Sequence, residues 1–199
     1  MSRPSINAAY SRAMNHINVI NRYLIKSKSL PTDLQGFVAE ILMLRLFSVL
    51  ENCVKDVSVR IACGAAYRNG VPPHPIILCT SISDAEVKFR SGSKKSIQFS
   101  NVHHINESIK HVIDDTEPLR IKLSKYGNVF EEMRKVRNHI AHRTNSTLSK
   151  YKEVILSRYG ANLRIKPGSF LVSTKRETRA VIDDYSQTIK IIIEDITNG

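Results

Sequence analysis

Phe37-Val38-Ala39-Glu40-Ile41-Leu42-Met43-Leu44-Arg45-Leu46-Phe47-Ser48-Val49-Leu50-Glu51 is the richest apolar stretch of the chain, and its periodicity decides the fold class. Phe37, Ile41, Leu44, Phe47 and Leu50 recur every three or four residues, and Val54, Val57 and Ile61 prolong the same stripe. That spacing predicts one long α-helix over residues 34–68. Val38, Leu42, Leu46, Val49 and Cys53 widen the stripe, and a helix apolar on several faces belongs at the centre of a helical bundle. Glu40, Arg45 and Glu51 interrupt it, so no uninterrupted run approaches the roughly 20 residues of a membrane span.

Working outward, residues 5–27 repeat Ile6, Ala9, Tyr10, Ala13, Ile17, Ile20 and Leu24 at helical spacing, and Pro31 marks the following turn. Asn69-Gly70 is the stop signal after the long helix. Ile76-Ile77-Leu78 and Val87-Lys88-Phe89 fit short strands or helix pieces. Residues 103–113 read as a helix. So do 128–143, with Asn128 as N-cap and Glu131 as its capping-box partner, and helix continues over 146–158. Leu163–Ile165 and Phe170–Val172, around Pro167-Gly168, predict a small hairpin or extended insertion, and 174–197 a last helix. The expectation is a mostly α chain, a bundle of about four or five helices forming a single domain over residues 1–199.

Thirty Lys and Arg against eighteen Asp and Glu give a formal net charge of +12. So basic a small chain attracts polyanions, and nucleic acid is the natural partner. Cys53, Cys63 and Cys79 form no CxxC pair, which argues for buried thiols and against a disulfide framework or a structural zinc site. Met1-Ser2-Arg3-Pro4-Ser5 lacks the apolar core of a secretory signal. The expected location is the cytoplasm, without membrane association.

Arg137-Asn138-His139-Ile140-Ala141-His142 lies at the end of an amphipathic helix whose apolar stripe is Val129, Met133, Val136 and Ile140. Histidine moves protons near neutrality, and arginine grips a phosphate through paired hydrogen bonds. Arg137 and His142 are five positions apart, about 140° on an ideal helix. Ala141 between them leaves room for a phosphate. Arg134 and Arg143 add positive charge nearby, and His139, Lys94 and Lys95 complete the candidate RNA-binding set. From the residues alone three readings stay open: metal-free phosphodiester chemistry, a solvated helix end where cations suit the dipole, or a metal held by His139 and His142. The last lacks an evident third ligand, and no cofactor is expected.

Those six residues resemble the Arg-x4-6-His signature of the HEPN superfamily, including the polar residue that follows the arginine. Phe47-Ser48-Val49-Leu50-Glu51 is similar to the acidic position of that superfamily's long second helix. The resemblance spans residues 8–195 and is nearest to two groups of stand-alone nucleases. It implies a metal-independent endoribonuclease, a toxin or antiphage-defence effector. Arg137 and His142 would be its catalytic pair, Asn138 would orient the pair or the phosphate, and Glu51 would steady it. It also implies a homodimer with a composite cleft, RNA as substrate, and an antitoxin or operon partner protein. The alternative is a non-catalytic module of the same fold that binds RNA, nucleotide or protein.

Overall fold

The computed structural model describes residues 4–91, 98–175 and 178–199. Among them are nine helices and no strand: α1 (Ile6–Ser27), α2 (Thr32–Ala62), α3 (Ile82–Ser91), α4 (Val102–Ile109), α5 (Pro118–Lys125), α6 (Gly127–His142), α7 (Asn145–Tyr159), α8 (Pro167–Val172) and α9 (Val181–Asn198). The α class follows from the sequence; several boundaries do not. α2 stops at Ala62 rather than 68. Gly64 adopts φ +77°, and Ala65 N–H bonds the carbonyl of Arg60 at 3.0 Å, so the helix closes on a left-handed glycine before Asn69-Gly70 is reached. Val87-Lys88-Phe89 is helical in α3, and Ile76–Leu78 forms no strand; Pro75 and Ile113 make an isolated bridge. Of the hairpin or extended pieces expected around Pro167-Gly168, Leu163–Ile165 lies in no helix or strand, and Phe170–Val172 belongs instead to the short helix α8, begun by Pro167 in its first turn.

The chain, read as a single domain, divides into two compact units of non-contiguous segments. The first holds the residues up to Met14, Leu50–Phe130 and Ile191–Gly199; the second holds Asn15–Val49 and Glu131–Lys190.

In the first unit Tyr67 is buried and donates its hydroxyl to Glu117 at 2.7 Å. The same carboxylate accepts the His74 amide at 3.0 Å, and the Tyr67 oxygen accepts the Leu119 amide at 3.1 Å. These bonds tie the loop after α2 to the start of α5. All three cysteines are buried thiols in this unit, and burial beside Asp56 pushes Cys53 up to about 12.

In the second unit α6 and α7 form an antiparallel helical hairpin. Lys135 pairs with Glu153 at 2.8 Å, and Arg158 with Glu132 at 2.6 Å; partners rise along one helix as they fall along the other. α8 lies against the start of α2. A Cβ on Gly168 would sit 2.6 Å from the carbonyl oxygen of Gly36, so only glycine fits there. That close approach sets the rotation of α2. Ala39, Leu42, Met43 and Leu46 turn inward, whereas Phe37 and Ile41, expected in the core stripe, are 63% and 40% exposed. Phe170 of α8 meets Tyr151 and Tyr159 edge-on at 5.8 and 6.1 Å between ring centroids. Each such pair contributes about 0.5–1.5 kcal/mol beyond area burial.

Candidate functional site

The candidate motif occupies the last turns of α6, at the closed tip of the hairpin. The helix begins one residue earlier than expected: Phe130 N–H bonds the Tyr126 carbonyl at 2.9 Å. Asn128 therefore lies inside the first turn rather than capping it. Met133, Val136 and Ile140 face the core, with Phe130 in the place expected for Val129.

α6 and α7 are joined by two residues, Arg143 and Thr144. Arg143 has φ +48°, a left-handed conformation that costs a side-chain-bearing residue about 1–2 kcal/mol. Its N–H closes the helix on the His139 carbonyl at 3.0 Å. Thr144 then caps α7: its hydroxyl accepts the Thr147 amide at 3.2 Å, and the Thr147 hydroxyl accepts the Thr144 amide at 3.0 Å. This reciprocal box breaks the helix that the sequence reading runs on from α6.

Glu40 of α2 holds the tip in place. One carboxylate oxygen accepts the Arg143 guanidinium, and the other accepts the Gly168 amide at 2.9 Å. The left-handed residue is thereby fastened to both α2 and α8, as a strained backbone position requires. Sequence reasoning missed Glu40. Its signal is a carboxylate inside the otherwise apolar run that opens α2.

The two motif histidines have different environments. His139 is 8% exposed. Its ring lies nearly parallel to that of Tyr151 at 5.0 Å, and its Nδ1 is 3.2 Å from the Thr147 hydroxyl. Burial, with the Arg143 charge, holds it below the ordinary histidine range, against the opposing pull of Glu40. His139 is thus a packed, neutral-favouring ring, not the RNA-facing group expected. His142 is exposed, as is Ala141 before it.

The cations divide similarly. Arg134 is clamped by both oxygens of Glu131 at 2.8 and 2.6 Å, Lys135 by Glu153 and Arg143 by Glu40. Arg137 is half-buried, and among the described residues its guanidinium meets only the neutral amide of Asn138, at 2.9 Å. The Asn138 side-chain oxygen is thus the acceptor that Arg137 meets on its own helix. Among the described residues, Arg137 and His142 form no hydrogen bond with one another.

Glu51 falls in the first unit, half-buried on α2. Lys94 and Lys95 lie outside the described residues. Among the described residues no group of three His, Cys, Asp or Glu could hold a metal ion, and no helix is long and apolar enough to cross a membrane. A cavity of about 400 Å³ in the second unit, bordered by Lys28, Gln35, Thr174 and Arg179, excludes the motif; its Lys28 is engaged by Asp183 at 3.1 Å.

No known protein family, curated protein or solved structure matches the chain.

Proposed function

We propose that this protein is a metal-independent endoribonuclease in which Arg137 and His142 act on the RNA backbone. One observation carries the reading. Every other cation on or next to the last three turns of α6 is paired with a carboxylate, while Arg137 keeps guanidinium N–H groups for an incoming anion. The exposed imidazole of His142 stands on the same helix end.

RNA brings its own nucleophile, the 2′-hydroxyl. In the proposed reaction an imidazole takes the 2′ proton as the oxygen attacks phosphorus, and an imidazolium gives a proton to the departing 5′-oxygen. Arg137, aimed by Asn138, stabilises the charge that builds on the phosphorane oxygens. The products carry a 2′,3′-cyclic phosphate and a 5′-hydroxyl. One chain supplies one such histidine, and on a straight helix Arg137 and His142 are about 7.5 Å apart in rise and about 140° apart in azimuth. The proposal therefore includes a twofold homodimer that sets two tips together. It does not need Glu51. A toxin or antiphage role, with an antitoxin or operon partner, belongs to the same reading.

Incubation with total RNA in EDTA, followed by end mapping, tests it. The wild type should generate cyclic-phosphate ends, and Arg137→Ala and His142→Ala should not. Undiminished cutting by either variant would refute the assignment.

The lack of a hydrogen bond between Arg137 and His142 favours one other reading, an RNA-binding module without chemistry. Such a module would retard labelled RNA in a gel without shortening it, and His142→Ala would bind equally well.

A further inference from the structure

We infer that Arg164 and Lys166 form an RNA-backbone contact strip beside the tip, extending the ribonuclease site proposed above, on which this inference rests. Both are exposed and without a carboxylate partner among the described residues. They sit on the segment between α7 and α8, and that segment is fixed at two points to the groups that build the tip. The Ile165 carbonyl accepts the Tyr151 hydroxyl at 3.1 Å, and Tyr151 is the ring stacked on His139. Gly168 N–H is held at 2.9 Å by Glu40, whose other oxygen grips Arg143, the residue after His142.

Lys166 stands two residues before Gly168, and two residues span at most about 7 Å. Arg164 and Ile165 are adjacent in the chain. The segment that carries the two cations is thus bound into the same hydrogen-bonded and stacked assembly as Arg143, the residue after the exposed imidazole. A tethered loop does not swing its charges away, unlike a free one. The contact assigned is to phosphate, the group that exposed Arg and Lys side chains most often meet on a nucleic acid. The strip sets where RNA enters the cleft and contributes affinity without sequence preference.

The experiment uses a labelled single-stranded RNA and the full-length His142→Ala protein as a non-cutting background. Binding is measured from low to high salt, with and without Arg164→Gln and Lys166→Gln together. Two lost phosphate contacts should lower the slope of log affinity against log salt by about 1.4, and weaken binding roughly tenfold near 0.1 M salt. A charge-matched control, Arg90→Gln with Lys125→Gln, should leave the slope in place. An unchanged slope in the Arg164/Lys166 variant, or an equal fall in the control, would overturn the inference. Failure of the parent reading looks different: RNA left intact by the wild-type protein.

Discussion

At the open end of the α6–α7 hairpin Glu132 accepts Arg158 at 2.6 Å and the buried Tyr185 hydroxyl at 2.7 Å, while Arg158 also reaches Asp184 at 3.3 Å. Burial beside that carboxylate drives the Tyr185 phenol well above its usual range. At the closed tip of the same hairpin Arg137 has only an amide, and His142 faces solvent. One end uses its charges to join three helices; the other leaves two cationic-capable groups uncommitted. Cations in the last turns of a helix suit its dipole, but each contributes only about 0.3–1 kcal/mol. Under the proposed function, substitutions at the two ends should separate activity from stability.

The largest effect belongs to the tip. His142→Ala should lower RNA cleavage by about 10²–10⁴-fold, the range for removal of a proton-transfer group. Its unfolding free energy should stay within about 0.5 kcal/mol of the wild type. Cleavage assays paired with urea melts check both halves. Arg158→Ala should do the reverse. Losing a partly buried cation leaves Glu132 without a charged partner, which costs about 2–3 kcal/mol in the same melts, with cutting retained below the new midpoint.

Glu40 lies between these extremes, because it serves the tip but does so structurally. Glu40→Ala strips an acceptor from Gly168 N–H and the counter-charge from Arg143, and should cost about 1–2 kcal/mol. Glu40→Gln keeps the first contact and should recover about half of that loss. Arg143→Gly isolates the backbone contribution. In the Glu40→Ala background it should stabilise by about 1 kcal/mol, since glycine tolerates the left-handed conformation. In the otherwise unaltered protein the lost ion pair should cancel most of that gain.

The smallest effect is pH-dependent. His139 has its folded-state pKa lowered from an ordinary value of 6.5. The unfolded chain then binds the proton more readily than the folded one. The stability that this ring contributes is complete above about pH 6.5 and declines as pH falls below it. His139→Gln should flatten the acid side of the stability profile below about pH 6.5, and an unchanged slope would remove His139 as the cause.

The core faces of α1 and α9 are legible in the sequence because each helix is apolar on one side. On α9 Val181, Tyr185, Ile189, Ile192 and Ile196 are all buried as their spacing predicts. On α1 only Tyr10 departs, lying half-buried under the Arg68 guanidinium, 3.5 Å from its ring centre. Where packing depends on a partner remote in sequence, periodicity misleads. Phe37 and Ile41 read as core, yet the Gly36–Gly168 approach rotates them outward. α8 read as a hairpin because Pro167-Gly168 resembles a turn until its contact with α2 is known. The motif's position was legible, and the distinct environments of its two histidines were not. His139 and His142 are separated by one turn, and only the arrival of Tyr151 and Thr147 from α7 makes one of them structural. Glu40 escaped notice for the same reason, its partners being 103 and 128 residues away in sequence.

The most direct measurement is end analysis of a defined RNA cut by purified protein in excess EDTA, with the His142→Ala variant alongside. The wild type should give fragments ending in 2′,3′-cyclic phosphate and beginning with 5′-hydroxyl, and the variant should leave the RNA full-length. Identical fragments from both proteins, or wild-type cutting that stops in EDTA and returns with added metal, would contradict the proposed reaction.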